Sequence, residues 1–438
     1  MAEPITTPRG IIIAAPSSSS GKTTITLGLL AALRDRGLRV AAAKVGPDYI
    51  DPRFLEAASG GSCVNLDPWA MPPERLKARL ASHAAGHDVV IIEGVMGLFD
   101  GAEGGGGATA DLASMLDLPI LLVVDASRQA QSIAALVHGF ATFRADINVV
   151  ATIATRVGSD RHADMVANAL EPLATIHLGS VKSDSELSVR SRHLGLVQAC
   201  EQEELAKLLT AASRCLGQQV DLDELIQLTQ PVPPLEHLAA LPPLGQRISI
   251  ARDAAFGFIY PHILSDWHRH GSELHFFSPL ANGAPASNCD AVYLPGGYPE
   301  LSAGAISAAE NFKAGVQTAV ANGAAIYGEC GGYMVLGKAL IDQHGAGHPM
   351  LGLLSHVTSF KERRRQLGYR KLRRIADAPL PLNLRGHEFH YSTIDSAGQD
   401  APLFEVTDSK GRNLGAVGGV RERVFGSYMH MIDVSPGT

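Results

Sequence analysis

The segment Pro16-Ser17-Ser18-Ser19-Ser20-Gly21-Lys22-Thr23-Thr24 sits between an apolar run and an amphipathic one. It supplies backbone N–H groups, a helix start, a lysine and a hydroxyl, in the order that a bound phosphate with its magnesium requires. Ser20, Gly21, Lys22, Thr23 and Thr24 are therefore the expected nucleotide-binding residues, although Pro16 replaces the glycine that usually opens such a loop. A serine loop that only caps a helix is the plainer alternative, and Gly-Lys-Thr-Thr between a strand and a helix argues against it. Two more stretches fall where strands should end, Lys44–Pro52 and Glu93–Gly101. Magnesium prefers one or two carboxylates beside phosphate oxygens, so Asp48 and Glu93 are the expected partners of the Thr23 hydroxyl. Tyr49, Asp51 and Asp100 are expected to position substrate. Asp and Gly also favour plain turns, and only the preceding phosphate loop tips these stretches toward function.

The second half holds a different chemistry. Tyr327-Gly328-Glu329-Cys330-Gly331-Gly332-Tyr333-Met334 places a cysteine after a strand and before an apolar helix, the setting of a nucleophile elbow. The helix start is expected to lower the thiol pKa and to present an oxyanion donor at Gly331. A second strand-to-turn segment, Leu294–Glu300, offers another donor at Gly297. His430 ends a late strand-like run and is a candidate base, but spacing alone cannot single it out among seventeen histidines. A lone cysteine is more often a small buried hydrophobe, and here the flanking glycines argue for the nucleophile.

Positioning these groups requires an α/β scaffold. Buried-type runs at Gly10–Ala15, Arg39–Val45, Val89–Ile92, Ile120–Val124 and Asn148–Ile153 alternate with helical segments such as Thr23–Arg36. Continuous Val/Ile/Leu strands of this kind indicate a doubly wound parallel sheet covered on both faces. Prolines 231, 233, 234, 242 and 243 then break the pattern. The expected division is a nucleotide domain at 1–217, a linker at 218–246 and a second α/β domain at 247–438. In the latter, Arg247–Ala251, Ala291–Leu294 and Ala324–Tyr327 are expected strands.

The 438 residues are 46% hydrophobic and 18% charged, with a net charge of −7, which excludes bulk disorder and makes a nucleic-acid partner unexpected. No apolar run reaches the roughly 18 residues that span a bilayer, and the N-terminus lacks the features of a signal peptide. Five scattered cysteines form no CxxC pair, so a reducing, cytoplasmic setting is expected rather than a disulfide or zinc framework. Two basic runs, Lys361–Arg365 and Arg370–Arg374, could attract a polyanionic substrate or simply form a solvated strand face.

Taken together, these residues resemble the cobyrinate/hydrogenobyrinate a,c-diamide synthase family of cobalamin biosynthesis along nearly the whole chain. Further matching segments are Asn65–Trp69, Arg156–His162, His193–Val197, Ala251–Phe256, Gly386–Tyr391 and Gly426–His430. The resemblance implies an ATP-dependent amidoligase domain similar to dethiobiotin synthetase and a C-terminal class I glutamine amidotransferase domain. It implies Cys330 as nucleophile with His430 raising its reactivity, and nucleotide and magnesium contacts at Thr23, Asp48 and Glu93. Asp100 matches the substrate-facing acidic loop. The implied reaction uses ATP and glutamine to amidate the a- and c-acetates of a corrin ring through acyl phosphates. Hydrogenobyrinate is the expected substrate, with cobalt-bearing cobyrinate as the alternative. A phosphate-loop switch or partitioning ATPase with a degenerate amidotransferase domain is the rival from another class. The expected partners are the corrinoid polycarboxylate and glutamine, with no membrane and with a homodimer left open. Three departures stand out: Ala154-Thr155-Arg156 where the family carries asparagine, a single histidine in His430-Met431-Ile432, and no asparagine in Tyr260–Ile263.

Overall fold

The computed structural model describes residues 7–184, 187, 205–235 and 240–435. The His193–Val197 segment therefore lies outside the described residues. Two compact units form, one from the described parts of 1–101 and 106–238, the other from those of 102–105 and 239–438. No helix among the described residues is long and apolar enough to cross a membrane.

The first unit opens with β1 (Arg9–Ala14), α1 (Lys22–Asp35), β2 (Val40–Val45), α2 (Asp51–Ser59), β3 (Cys63–Leu66), α3 (Pro73–Ala84) and β4 (Val89–Glu93). It continues through α4 (Thr109–Leu116), β5 (Ile120–Asp125), α5 (Ile133–Thr142), β6 (Val149–Val157), α6 (Asp160–Leu170) and β7 (Ile176–Lys182). It closes with α7 (Leu205–Gln219), α8 (Leu222–Leu228) and β8 (Gln230–Pro231). Seven of its strands form a sheet in the order β3-β2-β4-β1-β5-β6-β7, all pairing in parallel. The winding direction reverses beside β1, and open α/β sheets bind ligands in the crevice at such a reversal. The phosphate loop leaves β1 at that point. Continuous burial along β1, β2 and β4 explains why these strands read as unbroken apolar runs.

The expected linker at 218–246 is corrected by the fold. Asp221 caps α8 by accepting from the Asp223 and Glu224 N–H groups, and Leu222 and Leu225 lie in the core that α1 shares. β8 then pairs antiparallel with the first residues of β1, a two-residue edge strand where proline is tolerated. Beyond it, Leu241 and Leu244 are buried in the second unit, and the Leu241 N–H donates to Asp266 Oδ2 at 3.0 Å. The prolines interrupt periodicity without releasing the chain from either unit.

The second unit begins with β9 (Arg247–Ala251), α9 (Pro261–Arg269), β10 (Glu273–Phe277), β11 (Ala291–Leu294), α10 (Ala303–Ala308), α11 (Glu310–Ala321), β12 (Ala325–Glu329) and α12 (Gly331–Leu336). Shorter strands follow: β13 (Ala339–Ile341), β14 (Gly347–Pro349), β15 (Val357–Ser359), β16 (Gln366–Arg374), β17 (Asn383–His390) and β18 (Thr393–Ser396). The last are β19 (Phe404–Asp408), β20 (Asn413–Val417), β21 (Gly419–Arg421), β22 (Val424–Ser427) and β23 (Met429–Val434). The main sheet runs β10-β9-β11-β12-β22-β21, parallel except at β21. An antiparallel sheet, β20-β19-β16-β17-β23, brings the end of the chain back beside β12.

If residues 218–231 belong to the core, Leu225→Ala removes a fully buried side chain and lowers stability by about 2–4 kcal/mol. Urea unfolding followed by circular dichroism measures it; a true linker position would change the first transition by less than about 0.5 kcal/mol.

Candidate active sites

The loop after β1 turns through Ser19 at φ 65° and Gly21 at φ 89°, both left-handed, before α1 starts at Lys22. A side chain at Gly21 would meet both this conformation and the Thr155 side chain. Ser20 is buried and its hydroxyl donates to the Ser17 carbonyl at 2.9 Å. The Thr155 hydroxyl donates to the Ser20 carbonyl at 2.9 Å, and an Arg156 Nη2–H to the Ser19 carbonyl at 2.7 Å. The residues that stand in place of the family's asparagine thus brace the loop from the end of β6. Thr24 turns elsewhere, donating to the Leu187 carbonyl at 3.5 Å.

Thr23 at the head of α1 meets Glu93 at the end of β4: the Thr23 hydroxyl donates to Glu93 Oε1 at 2.7 Å, and Lys22 Nζ lies 3.4 Å from the same oxygen. Glu93 Oε2 is buried and has no hydrogen-bond partner among the described residues. A buried carboxylate oxygen without a partner is costly unless a cation or donor joins it. Together with the neighbouring hydroxyl, it fits a magnesium ion that takes its remaining ligands from phosphate.

Lys44 is the residue that the sequence reading passed over. It ends a strand of otherwise small apolar residues and is 1% exposed. Its three N–H donors meet Asp51 Oδ2 at 2.6 Å, Glu93 Oε1 at 3.1 Å and the Gly94 carbonyl at 3.2 Å, with Asp48 Oδ2 at 3.8 Å. Burial works to lower the Lys44 pKa, but Glu93, Asp51 and Asp48 outweigh it and hold the ammonium charged. Burial and the nearby Asp51 push Asp48 up to about 6. For Asp51 burial acts upward too, and the Lys44 charge and hydrogen bond reverse it to a lowered pKa. Asp48 Oδ1 also accepts from the Ile50 and Asp51 N–H groups at 2.8 and 3.1 Å, which fixes the entry to α2. Lys44 therefore joins Asp48, Asp51 and Glu93, and Glu93 in turn joins Lys22 and Thr23. The signal in the sequence was a lone charge inside an apolar strand.

Asp100 bonds locally. Asp100 Oδ2 accepts from the Gly97 N–H at 3.0 Å within its own loop, and the Tyr49 hydroxyl is buried. The basic runs divide. Arg370 pairs with Glu388 at 2.8 Å and Arg373 with Glu405, both across strands, which is structural use. Arg363, Arg364 and Arg365 are exposed.

In the second unit Cys330 sits between β12 and α12 at φ 46°, ψ −102°, a strained region for a residue with a Cβ. Its N–H donates to the Ser427 carbonyl at 2.8 Å and its carbonyl accepts from the Met334 N–H at 3.0 Å, so both neighbouring elements hold the strain. His430 reaches the same place from β23. A Cβ at Gly296 would collide with His430 Cε1 and come within 3.4 Å of Cys330 Cβ, so nucleophile and imidazole flank one point. Gly331 lies beside the Gly297 N–H, which a Cβ at Gly331 would approach to 3.0 Å. The two expected oxyanion donors are thus neighbours.

The expected lowering of the thiol pKa is corrected. Burial and then the charge of Glu300 raise it, with smaller pushes from Glu329 and Glu388, and the Gly331 N–H opposes them without prevailing. Burial, followed by His387 and His390, drives His430 well below its usual range. Thiol and imidazole are therefore both neutral, and the short α12 cannot offset the loss of solvent. A neutral pair of this kind can react only by passing the sulfur's proton to a base as attack begins, rather than from a standing ion pair.

Two family models match the chain. Residues 11–196 match the CobQ/CobB/MinD/ParA nucleotide binding domain and residues 247–436 the CobB/CobQ-like glutamine amidotransferase domain. Among curated relatives, the hydrogenobyrinate a,c-diamide synthase of Rhizobium meliloti (strain 1021) is 51% identical over 97% of this chain and 99% of its own. The protein of the same name from Brucella anthropi is 50% identical over 97% of this chain and 98% of its own. A solved structure of chloroplast FtsY from Physcomitrella patens aligns at 16% identity and a TM-score of 0.32 over 47% of this chain and 65% of that one, which is too distant to carry an argument.

Two outcomes follow from these geometries. Lys44→Met leaves the buried Glu93 and the half-buried Asp48 and Asp51 without their cation and lowers stability by about 3–5 kcal/mol, measured by urea unfolding. Gly296→Ala displaces the imidazole, so glutamine hydrolysis falls at least about tenfold while amidation from free ammonia persists. Equal loss of both activities would mean that Gly296 serves the fold rather than the pair.

Proposed function

This chain belongs to the hydrogenobyrinate a,c-diamide synthase family, and on that premise we propose that it converts hydrogenobyrinate to its a,c-diamide. It is a glutamine-hydrolysing carbon–nitrogen ligase that uses ATP. The observation that carries the proposal is the pairing of two reactive centres on one chain: Cys330 with His430 around Gly296, and Lys22, Thr23 and Glu93 at the head of α1.

At the amidotransferase centre, Cys330 Sγ attacks the glutamine side-chain carbonyl while its proton passes to His430. The oxyanion is held by the N–H groups of Gly297 and Gly331. Collapse of the adduct returns that proton to the departing nitrogen, releasing ammonia and leaving a glutamyl thioester that water hydrolyses. At the ligase centre, a corrinoid acetate attacks the γ-phosphorus of ATP and ADP leaves. Ser20, Gly21, Lys22 and Thr23 cradle the phosphates, Thr24 contributing only its backbone N–H, and Lys22 draws off developing charge. Thr23 and Glu93, with Asp48 beside them, would hold magnesium, which neutralises phosphate charge when bound. Tyr49, Asp51 and Asp100 are assigned to the corrinoid side. Ammonia then displaces phosphate from the acyl phosphate, giving the amide. Phosphorylation is needed because a carboxylate is a poor electrophile.

The buried, neutral Cys330 is best preserved in a reducing cytoplasm. Glutamine and the corrinoid are the expected partners, without nucleic acid or membrane, and a homodimer is the assembly that sizing would test. Cobyrinate is the competing substrate.

Cys330→Ala is expected to abolish glutamine hydrolysis and glutamine-driven synthesis, with synthesis restored by ammonium salt. Product masses from hydrogenobyrinate and cobyrinate, each incubated with ATP, magnesium and glutamine, read the substrate preference. ATP hydrolysis without any amidated product from either corrinoid would refute the reading and favour a switch ATPase.

A further inference from the structure

The carboxyl directly before the nucleophile has a role that the two-residue Cys–His account leaves unused. Glu329 ends β12 and is 1% exposed. Its Oε1 accepts from the Tyr327 hydroxyl at 2.9 Å and from the Met431 N–H at 3.2 Å, and its Oε2 accepts from the Tyr293 hydroxyl at 2.8 Å. The same Oε2 lies 4.0 Å from His430 Nδ1. One carboxyl thus fixes the backbone just after the catalytic histidine and presents an oxygen to the histidine's ring. The two tyrosine rings stack at 5.6 Å, and Tyr327 stacks on Phe425 at 5.2 Å, so the hydroxyls have little freedom to leave.

A neutral thiol–imidazole pair must create an imidazolium in a dry site during attack. That charge needs a counter-charge already in place, since no solvent can reorganise around it. Glu388 does not stand behind the ring in this way: Arg370 and His390 engage it, at 2.8 and 3.0 Å. Resting on the amidotransferase reading above, we propose that Glu329 is the positioning residue of the pair. Its Oε2 orients His430 with the Nδ1 proton toward the carboxylate, which leaves Nε2 to take the proton from Cys330 and stabilises the imidazolium that results. The hydrogen count is unchanged: the proton leaves sulfur, rests on Nε2 and later passes to the departing ammonia.

The titratable groups around the carboxyl are Tyr293 on β11, Tyr327 on β12 itself, Cys330 at the head of α12 and His430 on β23. β22 contributes none. His387 of β17 stands edge-on to His430 at 4.9 Å. Burial lifts the Glu329 carboxyl to about 7, with the three hydrogen bonds resisting. Above that pH the counter-charge is present, and below it the support is lost.

The test is the glutaminase pH profile of the full chain. Glu329→Gln keeps size and most hydrogen bonds but is never charged. Its kcat is expected to fall about 10- to 100-fold with the glutamine KM within about threefold, and the acid limb of kcat/KM, near pH 7 in the parent, moves to lower pH. Ammonia-driven synthesis stays at the parent rate, which separates this effect from misfolding. Tyr293→Phe and Tyr327→Phe remove donors to the carboxylate, so they move the limb to higher pH; they decide the matter if the glutamine variant does not fold. Parent-like kcat and an unmoved limb in Glu329→Gln, or unmoved limbs in both tyrosine variants, would overturn the proposal. A parent chain that hydrolyses no glutamine would instead sink the reading beneath it.

Discussion

The amidotransferase unit is built around one backbone residue held where side chains rarely sit. Cys330 at φ 46° forces the chain from β12 into α12 without a connecting loop; its Cβ and His430 flank Gly296, and its thiol donates to the Phe389 carbonyl at 3.6 Å. A conformation of this kind costs about 1–3 kcal/mol and survives only when the surroundings over-determine it. Here β22 supplies the Ser427 carbonyl, α12 returns a hydrogen bond from Met334, and the Gly332 N–H donates to the Pro295 carbonyl at 3.0 Å. The turn depends on its neighbours in the parallel sheet, so the placement of Cys330 is a product of tertiary structure.

The same logic governs the other unit with a different currency. There the constraint is charge: one buried ammonium, Lys44, gathers Asp48, Asp51 and Glu93 at the ends of β2 and β4. Burial alone would neutralise Lys44 and Asp51, and the charges facing each of them reverse that effect. What results is a preformed ring of carboxylates beside the phosphate loop, with Glu93 Oε2 left to receive a cation. Both units place their chemistry at the carboxyl ends of parallel strands, where the backbone turns and helix starts converge.

Much of this was legible in the residues. β9 and β11 were read at the bounds they adopt, and β1, β2 and β4 to within a residue, because strands buried on both faces leave unbroken apolar runs. The turns from β1 into α1 and from β12 into α12 were legible because local chain chemistry defines them. The failures have physical causes. The prolines at 231–243 suggested a linker, yet α8 is too short for a strong periodic signal and β8 pairs through only two residues. Strands β13–β15, β20 and β21 are three to five residues long, too short for a period to declare them. Thiol acidity was misjudged because a helix start is visible in sequence while the burial that outweighs it is not. Lys44 and Glu329 were missed as site residues because the partners that tie them to the sites, Glu93 and His430, come from strands far away in the chain.

The central claim is that a carboxylate activated with ATP is captured by nitrogen drawn from glutamine. Hydrogenobyrinate carrying ¹⁸O in its carboxylates, incubated with ATP and glutamine labelled with ¹⁵N at the side-chain amide, tests it in one mass-spectrometric measurement. The account predicts one ¹⁸O in inorganic phosphate and one ¹⁵N in the corrinoid for every amide formed. Amide formation with unlabelled phosphate would contradict it.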